Sequence, residues 1–434
     1  MKIHFIGIGG IGVSALAQYY LSNGHKISGS DLVSSETTEL LKNKGIKINI
    51  GKHKIKNLSK NTDLVIYSPA VQENNPELKI AKKNKIKCQS YPEALGDLTK
   101  KYFTIAISGT HGKSTTTAMT ALILIKAGLD PTVILGTKLK EFGNSNFRKG
   151  KSKYLIIEAD EWKASFLNYF PKIIALTNIE KEHLDYYKNI NHILRTYQEY
   201  ISHLPEKGIL VINGKDKNIS QLKKLKLKIK DYSSNPKQIK KLKRILKVPG
   251  EHNVLNALTA LTIAQALKIS DQTSFKALSE YKGAWRRFEE KSLKIKNLKF
   301  KIISDYAHHP TEIKATLKAV REKFPKEKIW CVFQPHQYQR TFYLFKDFVK
   351  TFKQAIDKSN INKIIITDIY DVAGREKGNI KNKINSEKLV KEINKSSAIY
   401  LPKQKIINYL KKNLKGKEII IIMGAGDIYK IIDN

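Results

Sequence analysis

Residues 108–117 read SGTHGKSTTT, directly after the apolar run Phe103–Ile107 and directly before the helical pattern TTTAMTALILIKAG. A glycine, a Gly-Lys-Ser and a row of threonines between a strand and a helix is the pattern of a phosphate-binding loop. The usual loop has four residues between its first glycine and its Gly-Lys; here only Thr110 and His111 stand there. Bare backbone at Gly109 and Gly112 lets the chain wrap phosphate oxygens, with Thr110, His111 and Thr115 completing the wrap. Lys113 then reaches the β and γ phosphates of ATP, and the Ser114 hydroxyl binds magnesium. Magnesium needs further ligands. Glu158, ending the strand-like YLIIEAD, and His183, in TNIEKEHLD, are the candidates. A strand-end carboxylate alone is often only a solvated terminus, but two candidates ending successive strands beside the loop are a stronger sign.

A second glycine loop stands a hundred residues upstream. Gly7-Ile8-Gly9-Gly10-Ile11-Gly12 follows the buried strand pattern KIHFIGI and opens a helix, and Asp31 ends the next strand. Glycines there let a diphosphate approach a helix N-terminus, whose amides and dipole favour anions, while Asp31 takes a ribose hydroxyl. An NAD cofactor fits this pattern, and so does a UDP-sugar, which also carries a pyrophosphate and a ribose. A tight turn without a ligand is the bland alternative. Two nucleotide loops on one chain point to ATP-driven chemistry on a nucleotide-tagged substrate.

Around these loops the chain alternates strand and helix patterns, which predicts parallel, doubly wound α/β sheets. The reading is three α/β domains: a Rossmann-like parallel sheet over 1–98, a central P-loop-type ATP-binding domain over 99–282, and a Rossmann-like closure domain over 283–434. YPEALGDLTKKY reads as the connection between the first two. The lysine-dense QLKKLKLKIKDYSSNPKQIKKLKR reads as an amphipathic surface helix with a turn at Ser233–Pro236, or equally as a solvated linker.

With 434 residues, 41% of them hydrophobic, the chain can bury several cores. Its 79 basic and 39 acidic residues give a net charge of +40. That balance can mark nucleic-acid binding. The lysines are spread along the chain rather than gathered in a stripe, so no specific nucleic-acid site is expected, although anionic substrates benefit from the field. Cys88 and Cys331 stand alone without metal-ligand spacing, as in a reducing cytosol. No apolar stretch is long enough for a membrane span, and the N-terminus lacks the basic start of a signal peptide. A cytoplasmic protein without membrane contact is expected, as a monomer or weak homodimer.

The motifs, taken together, resemble the Mur ligase superfamily over nearly the whole chain. HFIGIGGIG with SGSD, VIYSPAVQENNPE, GTHGKSTTT, EADE, TNIEKEHLD, VPGEHNVLNALTA, RRFE, DYAHHPTEIKATL, FQPHQYQRT and MGAGDI occur in that family's order. GTHGKSTTT also looks like the loop of folylpolyglutamate synthases. The resemblance is greatest to the branch that adds L-alanine to UDP-N-acetylmuramate. It implies that the lactyl carboxylate attacks the γ-phosphate of ATP to give an acyl phosphate, which the alanine amine then attacks. By the same resemblance, Gly9, Gly10, Ile11, Gly12, Asp31 and Ser68 hold the UDP-sugar. Lys113 and Ser114 serve the γ-phosphate and metal, with Glu158 and His183 as further magnesium ligands. His252, Asn253 and Asn256 meet the adenine, and Arg287 and Asp305 reach phosphate and ribose. His308, His336 and Arg340 face the amino acid and the acyl phosphate, so Lys113, His183, His308 and Arg340 form the catalytic set. Without the resemblance, His308–His309 reads equally as a pair closing a strand end.

Four departures from the family pattern stand out. Trp162 follows EADE where a small polar residue is usual, Trp285 precedes Arg286 where small residues are common, and Gln337 replaces an arginine. The stretch between Asn213 and Val248 is short, which implies that strands of the central domain are missing. Two other readings remain open at this point. A murein-peptide ligase of cell-wall recycling shares the superfamily, and an NAD-dependent oxidoreductase would use the first loop but leave the ATP loop idle.

Overall fold

The structure, a computed structural model, describes residues 1–432 except 185, 225–226, 296–297 and 373–377. Among these residues the main strands form three sheets. The first contains β1 (Lys2–Ile6), β2 (Lys26–Asp31), β3 (Lys47–Ile50), β4 (Leu64–Tyr67) and β5 (Lys87–Ser90). All pair in parallel, in the order β3-β2-β1-β4-β5. Helices α1 (Ile11–Ser22), α2 (Glu36–Asn43) and α3 (Pro76–Lys83) make the crossovers, and α4 (Tyr91–Lys101) leads onward. Strand order reverses at β1, so its carboxyl end, where the glycines stand, is the switch point at which such sheets take ligands.

The second sheet begins with β6 (Phe103–Ser108) and α5 (Lys113–Lys126), then β7 (Thr132–Leu139), β8 (Ser145–Arg148) and β9 (Tyr154–Glu158). It continues through β10 (Ile173–Leu176), α6 (Ile190–Ile201), β11 (Ile209–Ile212) and β12 (Lys228–Asp231), followed by α7 (Pro236–Ile245), α8 (Glu251–Ala266) and α9 (Asp271–Glu280). The order is β12-β11-β10-β6-β9-β7-β8, parallel except for the β7–β8 hairpin. β6, fully flanked by β10 and β9, therefore delivers the phosphate loop at the middle of the sheet.

The third sheet pairs β13 (Glu289–Ile295) antiparallel with β14 (Leu298–Asp305). It goes on through α10 (Pro310–Lys323), β15 (Lys328–Phe333), α11 (Tyr338–Tyr343), α12 (Phe345–Ser359), β16 (Lys363–Ile366) and α13 (Gly378–Lys381). The last elements are α14 (Ser386–Ile393), β17 (Ala398–Tyr400), α15 (Ile406–Asn413) and β18 (Glu418–Met423). In the order β13-β14-β18-β15-β16-β17, β18 sits between two parallel neighbours and is buried throughout. A run such as EIIIIM, apolar on both faces, is what a strand covered on both sides by helices requires.

One segment adds to its sequence reading. In the lysine-dense stretch 221–244 the surface helix is present as α7, after a turn at 233–234, but the strand β12 precedes it and completes a seven-stranded sheet. KIKD is an edge strand whose lysines point to solvent, the charge placement that keeps an edge from pairing with another chain. YPEALGDLTKKY, the connection between the first two sheets, is formed as helix α4. Ser90 and Glu93 form a capping box at its start, with Pro92 in its first turn.

The chain divides into two compact units. The first contains Met1–Glu182, Asn189–Ile245 and Leu255–Tyr281, and so holds the first two sheets. The second contains His183–Lys188, Leu246–Val254 and Lys282–Asn434. Within the first unit, α1 packs on the β7–β8 hairpin through a buried polar latch. The Asn146 amide donates to the Ile11 carbonyl at 2.5 Å and to the Ser14 hydroxyl at 2.9 Å. Gln18 donates to Asn146 Oδ1 at 2.8 Å and accepts from Lys44 at 2.7 Å and Ser145 at 3.1 Å.

Candidate functional site

At the end of β6 the chain turns through Gly109 and Gly112, both in the left-handed region (φ 126° and 84°). Neither can carry a side chain. A Cβ on Gly109 would lie 2.2 Å from Thr177 Oγ1, and one on Gly112 would lie 2.3 Å from Asn256 Oδ1. Asn178, just past β10, braces the loop: its side-chain oxygen accepts from the His111 amide at 2.9 Å and its carbonyl from the Thr110 amide at 2.9 Å. The Thr110 hydroxyl accepts in turn from the Glu180 amide at 2.8 Å.

Lys113 opens α5, and its ammonium donates to the Gly109 carbonyl at 2.6 Å and to Glu161 Oε2 at 2.9 Å. Burial works against the charge on Lys113, but the carboxylates of Glu161, Asp160 and Glu158 outweigh it and hold the amine protonated. Burial likewise pushes the Glu161 carboxyl up to about 7, against the pull of Lys113. Ser114 Oγ donates to Glu158 Oε2 at 2.9 Å, and the other Glu158 oxygen accepts from the Gly136 amide at 2.5 Å. Thus Lys113, Ser114 and Glu158 converge within the first unit. A hydroxyl beside a carboxylate is an oxygen donor set suited to a hard divalent cation. Asn256 joins this loop from α8, where it accepts from the Thr116 hydroxyl at 3.3 Å. Thr115 lies buried in the first turn of α5.

The first glycine loop is built differently. The Gly7 and Ile8 amides both donate to the Ser30 carbonyl, at 2.8 and 3.1 Å, and the Gly10 amide to the Gly7 carbonyl at 3.2 Å. Asp31 spends one carboxylate oxygen on the Gly9 amide at 2.8 Å, so it braces the loop before any ribose meets it. Ser68 follows β4, donates its amide to Ile6 O at 2.9 Å and packs beside Gly7. No side chain caps α1, which starts at Ile11 and Gly12 directly after the loop.

Beneath this loop lies a network the sequence did not disclose. Glu77, fully buried, accepts from Ser30 at 2.6 Å and Asn57 at 2.6 Å, and contacts His4 at 3.0 Å and His53 at 3.1 Å. Burial alone would raise its carboxyl; the bonds from His4, Ser30 and Asn57 prevail and hold it at about 2. A carboxyl depressed in the folded state stabilises the fold fully above the ordinary glutamate range near 4.5, and that contribution is lost as pH falls toward 2. Glu77→Gln should therefore cost on the order of 3 kcal/mol at neutral pH. Denaturant titrations of both proteins should show this gap narrowing below about pH 4.5; a gap independent of pH down to that range and through it would refute the account.

In the second unit, the His308, His336 and Arg340 side chains come together. The His308 and His336 rings are 6.0 Å apart, and Arg340 Nη1 lies 3.1 Å from both His336 Nδ1 and the His336 carbonyl. His308 Nδ1 faces two acceptors, the Tyr306 carbonyl and Glu312 Oε2, each at 3.1 Å. His309 instead caps the helix α10, not a strand end, by accepting from the Thr311 amide. Asp305 accepts from the Phe288 and Ala307 amides, both at 2.8 Å, and thereby holds the turn that presents Arg287; burial raises its carboxyl. Arg287 lies over the Tyr306 ring at 4.7 Å. Trp285 belongs to an aromatic cage, with Tyr306 and Tyr429, around the buried Arg286.

His252 and Asn253 belong to the second unit, where burial lowers the His252 imidazole to about 4 and Asn253 donates to the Pro249 carbonyl at 2.7 Å. His183, at φ 54°, also belongs to that unit and so stands in a different body from Glu158. Gln337 is buried at φ 74° as the residue before α11, its amide donating to the Tyr370 carbonyl at 2.9 Å. Trp162 opens a short 3-10 segment whose next residues, Lys163 and Ala164, are left-handed, and the Lys163 ammonium lies over the indole at 4.9 Å. Glu161 and Asn178 are site residues that motif reading passed over. Glu161 was visible as the last letter of EADE, but only the fold shows that it meets Lys113.

Three family profiles match in succession: Mur ligase family, catalytic domain, over residues 2–103; Mur ligase middle domain, over 107–264; and Mur ligase, glutamate ligase domain, over 286–426. A UDP-N-acetylmuramate–L-alanine ligase of Acetivibrio thermocellus is 43% identical over 457 aligned residues, covering 99% of this chain and 94% of the relative. Among solved structures, the UDP-N-acetylmuramate–alanine ligase of Thermotoga maritima superposes with a TM-score of 0.80 at 29% identity, over 99% of this chain and 97% of that one. A murein peptide ligase of Psychrobacter arcticus has a TM-score of 0.72 at 22% identity, over 100% and 97% of the two chains, a likeness of fold.

Proposed function

This chain belongs to the Mur ligase family, and on that premise we infer that it catalyses the ATP-dependent joining of L-alanine to the lactyl carboxylate of UDP-N-acetylmuramate, in peptidoglycan precursor synthesis. What carries the reading is the presence of two nucleotide loops in one compact unit, each at the carboxyl end of its sheet's middle strand, in a chain 43% identical to an alanine-adding relative. The murein-peptide alternative has a neighbour in fold at 22% identity, and the oxidoreductase reading leaves Lys113, Ser114 and Glu158 without a task.

The first loop and Asp31 hold the sugar nucleotide, with Gly9, Gly10, Ile11, Gly12 and Ser68 around its diphosphate. Lys113 stabilises the charge that builds on the γ-phosphate as the lactyl carboxylate attacks it, which leaves ADP and an acyl phosphate. The alanine amine then attacks the acyl carbon and phosphate departs. Magnesium would supply charge neutralisation among the crowded phosphates; Ser114 and Glu158 would hold it, with His183 as the further ligand that the family resemblance implies. His252, neutral at pH 7, together with Asn253 and Asn256, faces the adenine, while Arg287 and Asp305 serve phosphate and ribose. His308 and Arg340 receive the amino acid beside His336. The reaction takes place in the cytoplasm; among the described residues no helix is long and apolar enough to cross a membrane.

The test is phosphate release in the presence of ATP, magnesium, UDP-N-acetylmuramate and single amino acids. Release should require both the sugar nucleotide and L-alanine. Turnover supported by a tripeptide and not by alanine would favour the recycling reaction instead.

A further inference from the structure

Helix α4 begins at Tyr91 and packs along Trp162–Asn168; a Cβ on Gly96 would stand 2.3 Å from the Asn168 carbonyl oxygen. That close approach fixes where the helix starts. The Tyr91 ring slides beneath the first turn of α1, so that a Cβ on Gly12 would lie 2.7 Å from both its Cζ and its hydroxyl oxygen. Toward the second sheet, the phenol feels the charges of Glu158 and Asp160, which add to burial in raising its pKa. One hydroxyl therefore lies between the helix that carries the first glycine loop and the carboxylates that flank the phosphate loop. Among the described residues this hydroxyl has no hydrogen-bond partner. The side chain is half-buried and its hydroxyl is not sealed from solvent, so it is open to a ligand.

We propose that Tyr91 is a substrate-binding residue whose hydroxyl donates to an anionic oxygen of the sugar nucleotide, where that molecule crosses from the first glycine loop toward the γ-phosphate. The inference rests on the function proposed above, because a lactyl carboxylate that attacks γ-phosphate must reach from one loop to the other. A neutral donor suits the crossing. It satisfies a substrate anion that would otherwise face Glu158 and Asp160. A ring that only wedges α1 against α4 would need no hydroxyl.

Tyr91→Phe keeps the wedge and removes the donor. Calorimetry on the full chain should show UDP-N-acetylmuramate binding weakened about tenfold or more, since the bond runs to a charged oxygen. ATP affinity and melting temperature should stay unchanged. UDP-N-acetylglucosamine, which lacks the lactyl group, locates the accepting oxygen: equal loss points to the diphosphate, and loss confined to the muramate points to the lactyl carboxylate. Wild-type affinity for UDP-N-acetylmuramate in Tyr91→Phe overturns the inference while leaving the function intact. So does a variant that loses ATP and sugar nucleotide together with its thermal stability. Failure of the wild-type protein to bind UDP-N-acetylmuramate would bring down the function and this inference with it.

Discussion

Lys113→Ala should lower the turnover number for phosphate release by about a hundredfold or more, with the KM values for UDP-N-acetylmuramate and L-alanine little changed. The ammonium lies at the start of α5, on the Gly109 carbonyl and Glu161. An interaction that strengthens as charge builds on the γ-phosphate appears in kcat, not in substrate binding. The fold should survive the change. Glu161, already at about 7 with Lys113 beside it, would take up a proton rather than remain a buried charge without its partner. Lys113→Arg should rescue little, because a planar guanidinium does not reproduce a compact ammonium packed between two backbone carbonyls and a carboxylate. Single-turnover kinetics checks this, and near-normal turnover in Lys113→Ala would remove the basis for assigning the loop to ATP.

A second large effect is expected at Arg340. On the function proposed above, the carboxylate of the incoming amino acid would enter a region crowded with phosphates and would need a cation of its own. Within the segment His336–Thr341, Arg340 is the cationic side chain, and its guanidinium is held in place by His336. Bonds from a charged donor contribute about 1.5–3 kcal/mol. Arg340→Ala should therefore raise the KM for alanine, or lower kcat, by roughly ten- to a hundredfold, while UDP-N-acetylmuramate binding stays intact. Gln337→Ala should do less: that residue's amide bond to Tyr370 belongs to the backbone, and its side chain offers only neutral contacts to an anion. A larger loss in Gln337→Ala, or none in Arg340→Ala, would assign this segment to another task.

Most of the site was readable because its residues are local. Glycine loops, a Gly-Lys-Ser and a strand-ending EADE state their chemistry in a few consecutive letters, and the strand–helix alternation around them fixed the sheet type. What escaped was long-range. Glu77 looks like an ordinary first-turn carboxylate of a helix opening Asn-Pro-Glu, until the fold brings His4, Ser30, His53 and Asn57 around it. Tyr91 likewise seemed part of a connection. The capping signature Ser90–Glu93 marked that helix, but no spacing in the sequence could put its first side chain under Gly12. β12 was hidden for another reason: its exposed lysines repeat the charge texture of the rest of the surface, so an edge strand and a solvated tail read alike.

The latch between α1 and the β7–β8 hairpin bears on how such a protein can be recombined. Ser14, Gln18 and Lys44 come from the first sheet's layer, Ser145 and Asn146 from the second's, and the Ile11 carbonyl is part of the joint. A chimera that took the first sheet from one lineage and the second from another would have to match these partners at once. Each buried group left unpaired costs about 1–3 kcal/mol, comparable with the whole margin of an ordinary domain once two or three fail. Gene exchange with a crossover near residue 100 is thus disfavoured by a joint that begins at the end of the first glycine loop and lies apart from the second.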